Sequence, residues 1–201
     1  LEAVFMRLRE YNVTANKAKC EFSKSNIEYY GHIFSEKGVS ASSSKVKAIL
    51  AAGPPQNVSE LRSLLGMTQY ISRFIPNYTD IVAELRVLTH HDVKWQWGAP
   101  QETAFQNLKK RLADIHLLSY FDTKLPVEVI VDASPIGLGA ILTQKADNHV
   151  TNIVEYASRS LSKAEQHYSQ TEREALGIIW ACEHFHIYLY GTKFTVISDH
   201  Q

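Results

Sequence analysis

The sequence predicts a mixed α+β or α/β fold, in which a mostly helical first half precedes a β-β-β-α-β second half. Residues 41–113 carry apolar side chains at helical spacing, interrupted by proline and glycine breaks. At "PVEVIVD" the pattern changes to strict alternation, which places Val127, Val129 and Val131 on one face of a strand. Because the periodicity changes there, we place a domain boundary near residue 122.

The composition is that of a globular intracellular protein. The 201 residues are 45% hydrophobic, which is enough for one sizeable domain or two small ones. The 21 basic residues balance the 21 acidic ones, so any basic face must be local. Cys20 and Cys182 match no zinc spacing and are interpreted as reduced thiols. The sequence has no signal peptide and no apolar run long enough to span a membrane, and its first residue is Leu1, which indicates a cut within a longer chain.

The first half contains signals for a helix, a hairpin and further helices. Aromatic and β-branched residues in "KCEFSKSNIEYYGHIFSEKGVSAS" predict a short antiparallel hairpin whose turn lies at Lys37 and Gly38, with Gly31 at a bulge or a close backbone approach. After "GPP", Asn57 and Glu60 form the capping pattern that starts a helix. Further helices are predicted from "DIVAELRVL" and from "APQETAFQNLKKRL", where Pro100 lies in the first turn.

The second half is predicted to contain three strands, one long helix and a closing strand. Ser169 and Glu172 form the capping box that begins the helix, and Gly191 ends it. The closing strand covers residues 194–198. The apolar face of the helix is predicted to comprise Leu176, Ile179 and Leu189.

Three carboxylates occur at element ends of the second half. Asp132 ends the first strand, Glu174 lies in the first turns of the helix, and Asp199 ends the last strand. Converging carboxylates repel one another unless a cation lies between them, and such oxygen ligands suit Mg²⁺ or Mn²⁺. The corresponding chemistry is metal-assisted phosphoryl transfer. Each acid also has an ordinary structural explanation, as a turn residue for Asp132 and Asp199 or as a helix-dipole acid for Glu174.

The segments around these acids resemble a known family. "VDASPIGLGAIL", "EYASRSLSKAEQHYSQTEREALGIIWACEHFHIYLYG" and "FTVISDH" resemble the RNase H domain of gypsy-type long-terminal-repeat retrotransposon Pol polyproteins. "KCEF", "IEYYGHIFSEKGVS", "PPQNVSELRSLLGMTQYISRFIPNYTDI" and "AFQNLKKRL" resemble the palm end, thumb and connection of the same family's reverse transcriptase. The resemblance covers essentially the whole chain. It implies a palm end over 1–40, a thumb over 41–90, a connection over 91–122 and a truncated RNase H-like domain over 123–201.

The resemblance implies a nuclease centre and a nucleic-acid surface. The family's catalytic, metal-binding acids fall on Asp132, Glu174 and Asp199, which would hold two Mg²⁺ ions, or Mn²⁺, and cut the RNA strand of RNA/DNA hybrids. A primer-holding hairpin and a thumb helix in the minor groove would contact the template-primer duplex, and a wide A-like minor groove suits small and amide side chains. The implied contact residues are Tyr29, Tyr30, Gly31, Gly66, Gln69 and Tyr70. From the residues alone, Gly66 equally suits a helix-packing contact, and Tyr29 suits a core position.

The resemblance also implies further polypeptide on both sides of this chain. RNase H domains of this kind usually add a helix, a strand and a fourth acidic ligand after the third acid, and the polymerase's paired aspartates are expected before Leu1. We therefore expect the 201-residue chain to be inactive by itself. Its expected partners are hybrid duplexes and the remainder of the Pol polyprotein, in the nucleus or in a cytoplasmic virus-like particle and without a membrane.

Two other functions stay open. A decayed or host-adopted copy would bind nucleic acid without catalysis, and "LLGMTQYISRF" has Ile71 and Ser72 where the family tends to show an aromatic and a basic residue. Retention of all three acids argues against decay. An actin-like or sugar-kinase ATPase shares the strand-acid-turn-strand start, but Ser134 replaces the usual glycine and residues 1–113 do not fit such proteins.

Overall fold

The computed structural model describes residues 1–115, 117–146 and 150–198. The first half combines a small antiparallel sheet with helices, as predicted. Its strands are β1 (Asn26–Tyr29), β2 (His32–Ser35) and β3 (Gly38–Ala41). Its helices are α1 (Glu2–Glu10), α2 (Ser43–Ala51), α3 (Val58–Tyr70), α4 (Tyr78–Ile81), α5 (Ala83–Val87) and α6 (Ala99–Ala113). The single helix predicted from "DIVAELRVL" is divided into α4 and α5 at Val82.

The predicted hairpin with its turn at Lys37 and Gly38 is formed by β2 and β3, and β1 pairs with β2 as a further strand. Tyr30 and Gly31 connect β1 to β2 with φ angles of 48° and 74°. Two successive positive φ angles define the type I′ turn that suits the right-handed twist of a hairpin. Gly31 therefore serves a tight turn, where a bulge was one of the predicted alternatives.

The second half has the predicted β-β-β-α-β order. Its elements are β4 (Val127–Ala133), β5 (Gly137–Lys145), β6 (Thr151–Ser160), α7 (Gln170–His184), α8 (His186–Leu189) and β7 (Phe194–Ser198). The strands form one sheet in the order β6-β5-β4-β7, in which β4 and β7 are parallel and the other pairs antiparallel. The predicted helix is continued as the short α8 after a break at Phe185.

The four-stranded sheet has a separate core on each face. One face, which includes Val129 and Val131, packs against Ala181 and Phe185 of the helical segment 170–189. The other face contributes Tyr156 to the core of the first half, together with the partly buried Ile141 and Ile153. The first-half core is centred on Phe74, Tyr78, Phe105 and Leu108. The core of the first half therefore extends onto this face of the sheet.

The predicted buried face of α7 is wrong at one position. Ile179 is 59% exposed, whereas Glu174, Gly177 and Ala181 are the buried residues of the helix. A Cβ atom added to Gly177 would lie 2.9 Å from Cγ1 of Val131. The helix therefore lies against β4 through its small residues, because close approach to the sheet needs a face without large side chains.

An ion pair stabilises the connection between β6 and α7. Arg159 donates two hydrogen bonds to Glu165, at 3.0 and 2.9 Å, and the backbone N–H of Ser162 donates a third at 2.7 Å. These bonds, first those from Arg159, lower the pKa of Glu165 from 4.5 to about 2. Because the folded-state pKa is lowered, the stabilisation is present above pH 4.5 and is lost as the pH falls towards 2.

We expect Glu165→Gln to lower the free energy of unfolding at pH 7 by about 1 kcal/mol, the upper end for a pair at a protein surface. Thermal unfolding of both proteins between pH 7 and pH 2 measures the effect. The difference in melting temperature should shrink below pH 4.5. Glu183→Gln, at an exposed position of α7, is the matched control. A difference that stays constant down to pH 2 would contradict the assigned ion pair.

Candidate functional site

Glu174 lies where α7 meets the end of β7. Its side chain is only 4% exposed. The parallel pairing of β4 and β7 places Ser198 opposite Val131, and the Ser198 hydroxyl donates to Oε2 of Glu174 at 3.1 Å. Asp199, the third predicted acid, lies outside the described residues. The structure thus brings Glu174 to the strand end that immediately precedes Asp199 in the sequence.

Neutral donors hold the carboxylate of Glu174. Nε2 of Gln170 donates to Oε1 at 2.5 Å, and the same amide lies 3.4 Å from the carbonyl oxygen of Ala133, at the end of β4. No ion pair of Glu174 occurs within the described ranges. A buried carboxylate is costly unless it is hydrogen-bonded or paired with a cation. The arrangement therefore fixes the orientation of Glu174 and leaves its negative charge available to a cation.

Asp132 lies beside the segment that carries α4. Asp132 is exposed near the end of β4, and Nδ2 of Asn77 donates to its Oδ2 at 3.4 Å. Asp80 lies in the same cleft, where it accepts a hydrogen bond from the Ser134 hydroxyl at 3.1 Å. Burial, and secondly the charge of Asp132, raise the pKa of Asp80. Negative charge is therefore concentrated around Asp132.

Two glycines on β5 let the α4 segment approach the sheet closely. A Cβ atom at Gly139 would lie 2.6 Å from Oδ1 of Asn77, and one at Gly137 would lie 2.9 Å from Oδ1 of Asp80. Thr79 adds two hydrogen bonds to the Ser158 hydroxyl, both at 3.1 Å. The sequence analysis missed this contact. Its one local signal is the alternation "GLG", since glycine within a strand marks the close approach of another backbone.

Asp132 and Glu174 supply the hard oxygen ligands that Mg²⁺ prefers. Within residues 1–115, 117–146 and 150–198, no group of three acidic, histidine or cysteine side chains is placed to hold a metal ion. The predicted set requires Asp199, outside those ranges, and so the three-acid centre stays a prediction. The residue types fit a magnesium site.

The predicted primer-holding hairpin contacts the predicted thumb helix. The Tyr70 hydroxyl of α3 donates to the backbone carbonyl of Tyr30. His32 stacks on the Tyr70 ring with centroids 5.0 Å apart, and Nζ of Lys45 lies 4.3 Å from the centroid of that ring. Tyr29 is exposed beside Tyr30, so it does not occupy the core. Four of the predicted contact residues, Gly31 included, therefore lie on one surface.

Sequence reasoning missed the basic groups of this surface. Lys45 lies near the N-terminus of α2, and Arg73 lies just after the C-terminus of α3. Desolvation, together with the charges of Arg73 and Lys45, lowers the pKa of His32 and so favours its neutral form. Lys45 lies within reach of the Tyr30–Gly31 turn, because a Cβ atom at Gly31 would meet its side chain. The ammonium group of Lys45 therefore lies beside the exposed tyrosines.

Gly66 and Gln69 have different surroundings on α3. A Cβ atom at Gly66 would meet no atom of the chain within 4 Å, so Gly66 does not serve a packing contact among the described residues. Oε1 of Gln69 accepts a hydrogen bond from Arg86 at 2.8 Å, and Nε2 donates to Ser72 at 3.2 Å. At Gly66 the surface of α3 is therefore not covered by other residues, whereas the side-chain amide of Gln69 is already hydrogen-bonded to other side chains of the protein.

The second half and the segment before it are similar to proteins of the reverse transcriptase type. Residues 97–196 match the family model described as "RNase H-like domain found in reverse transcriptase". The foamy viral protease-reverse transcriptase in complex with RNA/DNA hybrid has the same fold, with a TM-score of 0.81 and 20% identity over 98% of this chain and 27% of that one. The same enzyme in complex with dsDNA gives a TM-score of 0.78 and 21% identity over 98% of this chain and 41% of that one.

The chain is homologous to transposon polyproteins. It is 34% identical over 200 residues to the Transposon Tf2-3 and Tf2-4 polyproteins of Schizosaccharomyces pombe. The match covers 98% of this chain and 15% of each polyprotein. The chain therefore corresponds to a small part of these relatives. No helix within the described ranges is long and apolar enough to cross a membrane.

Proposed function

We propose that this chain is the thumb-to-RNase H part of a gypsy-type retrotransposon reverse transcriptase, which holds an RNA/DNA hybrid and cuts its RNA strand. The observation that carries the proposal is the buried, hydrogen-bonded Glu174 at the end of β7, in a domain of the RNase H-like family. The structural neighbour bound to RNA/DNA hybrid supports the choice of substrate.

Asp132, Glu174 and Asp199 would hold two Mg²⁺ ions through their carboxylate oxygens. When bound, the ions would activate water and stabilise the leaving 3′ oxygen. Gln170 and Ser198 would fix the orientation of the Glu174 carboxylate, since each of its two oxygens accepts a hydrogen bond from one of them.

The proposal includes RNA-directed DNA synthesis by the longer polyprotein. The sequence contains no adjacent pair of aspartates, so this chain would contribute contacts to the template-primer duplex. The surface formed by Tyr29, Tyr30 and Tyr70, with Lys45 beside it, would lie against the sugar-phosphate backbone. Gly66 would allow the minor groove to approach α3.

A non-catalytic hybrid-binding role is the second candidate. Asn77 occupies one acceptor position on Oδ2 of Asp132, and residues 77–80 lie over this part of the sheet. An amide donor at that oxygen competes with a cation. A protein that binds hybrid tightly, yet gains no cleavage when tested with its full natural reading frame, would favour this role.

We expect the chain to bind RNA/DNA hybrid weakly and with strong dependence on salt, since phosphate contacts release counterions. Tyr70→Ala should weaken binding about tenfold, because it removes an exposed ring of the kind that contributes about 1–3 kcal/mol to nucleic-acid contacts. Fluorescence anisotropy with a labelled hybrid measures both effects.

The matched control for this experiment is Tyr190→Ala. Tyr190 is 80% exposed and follows α8, in the other half of the chain. Its removal should leave the affinity unchanged. The nucleic-acid surface is wrongly placed if the two alanine variants bind alike, and hybrid binding itself is refuted if the natural chain shows none at low salt.

A further inference from the structure

An open groove of about 720 Å³ runs between the two halves of the chain. One wall is formed by α3, α5 and the turn that follows α5. The other wall is formed by the end of β6 and the residues that lead towards α7. The groove lies apart from the cleft around Asp132, and none of the residues predicted from the sequence to bind nucleic acid lines it.

The charged side chains that line the groove are all basic. Arg62 and Arg86 lie on the first wall, and Lys163 lies on the second. None of these side chains forms an ion pair with a carboxylate among the described residues. The nearby Glu165 is already bound by Arg159. The groove therefore carries positive charge that the described part of the chain does not neutralise.

Neutral acceptors hold the two guanidinium groups in place. Arg86 donates to the Ser160 hydroxyl at 2.7 Å and to Oε1 of Gln69 at 2.8 Å, so it joins the two walls. Arg62 donates to the carbonyl oxygen of Thr89 at 3.0 Å. These bonds do not neutralise the two positive charges. They already restrict the side-chain conformations, so an anionic partner would lose less conformational entropy on binding.

The groove continues the nucleic-acid face of α3. Arg62, Gly66 and Gln69 follow one another at spacings of four and three residues, so they lie along one stripe of the helix. Gly66 is bare, and Gln69 is bound to Arg86 in the groove wall. A duplex that lies along this stripe would be directed into the groove.

The floor of the groove distinguishes between nucleic-acid partners. Its apolar lining comes from aliphatic residues, including Leu65, Val87, Ile136 and Leu161, and no phenylalanine, tyrosine or tryptophan of the described part of the chain lines it. Proteins that bind single strands place aromatic rings under successive bases. A basic groove without such rings suits the outside of a duplex, where phosphates and sugars are presented.

We propose that this groove binds consecutive phosphates of one strand of a nucleic-acid duplex, with Arg62, Arg86 and Lys163 as the cationic contacts. This inference rests on the proposed function, because the partner is the hybrid that the thumb holds. It adds a second contact region at the junction of the two halves, which would keep the duplex in register as it passes from the thumb to the RNase H-like domain.

The test replaces Arg62 and Lys163 with glutamine together, since both side chains are exposed, and leaves the bridging Arg86 intact. The matched control replaces Lys110 and Arg111, which are exposed on α6, in the same way and removes the same charge. The measurement is anisotropy of a labelled RNA/DNA hybrid over a series of salt concentrations. Circular dichroism checks that both variants are folded.

The groove variant should bind hybrid about tenfold more weakly than the natural chain at low salt. The slope of its plot of log affinity against log salt should be smaller in magnitude by about 1 to 2, because each lost phosphate contact reduces that slope by about 0.9. The control should change the slope by less than half of that amount. Equal behaviour of the two variants, with normal binding by the natural chain, would overturn the groove and leave the proposed function standing. If the natural chain does not bind hybrid, both are overturned.

Discussion

In the protein translated from the reading frame that contains this chain, we expect Asp132→Asn to abolish Mg²⁺-dependent cleavage of hybrid RNA. The rate of cleavage should fall at least about 1000-fold. The substitution removes the negative charge that would bridge two cations and keeps the size of the side chain. Asn77 could still donate to the new amide oxygen, so the fold should be unchanged. Cleavage of an internally labelled hybrid in Mg²⁺ measures the effect.

Asp80→Asn is the matched control for this experiment. Asp80 lies in the same cleft and accepts a hydrogen bond from Ser134, which an asparagine oxygen can also accept. We expect this variant to keep most of the cleavage activity. If Asp132→Asn cuts at the natural rate, the metal assignment is wrong. If both variants lose all activity, Asp80 belongs to the centre as well.

The second large effect is expected from Gly177→Leu. A Cβ atom at Gly177 already lies 2.9 Å from Val131, so a leucine side chain must push α7 away from β4. Overpacking of this kind costs about 1–3 kcal/mol, which for a chain of this size lowers the melting temperature by about 2–10 °C. Since Glu174 lies one turn before Gly177 and Asp132 follows Val131, the movement should separate the two acids. A displacement of about 1 Å is enough to reduce cleavage roughly 100-fold.

Ala175→Leu provides the control, because Ala175 lies on the exposed side of the same helix. Alanine and leucine have similar helix propensities, so melting temperature and cleavage should both be nearly unchanged. Thermal unfolding and the cleavage assay on the two variants separate overpacking from a general effect of added leucine. Equal stability of Gly177→Leu and Ala175→Leu would show that α7 does not lie against β4 through Gly177.

Local signals were sufficient for much of the secondary structure. Asn57 caps α3 through a hydrogen bond to the backbone of Glu60, and Ser169 with Glu172 forms the capping box of α7, both as predicted. These predictions succeed because caps depend on residues two to four positions apart. The alternation at "PVEVIVD" likewise identified β4, since alternate side chains face opposite sides of a strand.

Predictions that needed the identity of a packing partner were less accurate. Ile179 was expected in the core on the basis of its apolar side chain, but α7 approaches β4 through Gly177 and Ala181. Apolarity alone does not reveal which face of a helix meets a sheet closely. The turn at Tyr30 and Gly31, which separates β1 from β2, was also missed, because a glycine in such a run equally fits a bulge and the pairing partner decides between the two.

The sequence by itself determined the order of the elements, the caps and turns, and the acids Asp132 and Glu174 at the ends of their elements. The tertiary structure alone decided what surrounds those acids. Asn77 contacts Asp132 across 55 positions of the chain, and Arg86 bonds to Ser160 across 74. Such contacts leave no periodic signal in the sequence, because they depend on how two surfaces that are far apart in the sequence meet. The contact of Asn77 with Asp132 and the basic groove between the halves both follow from that meeting.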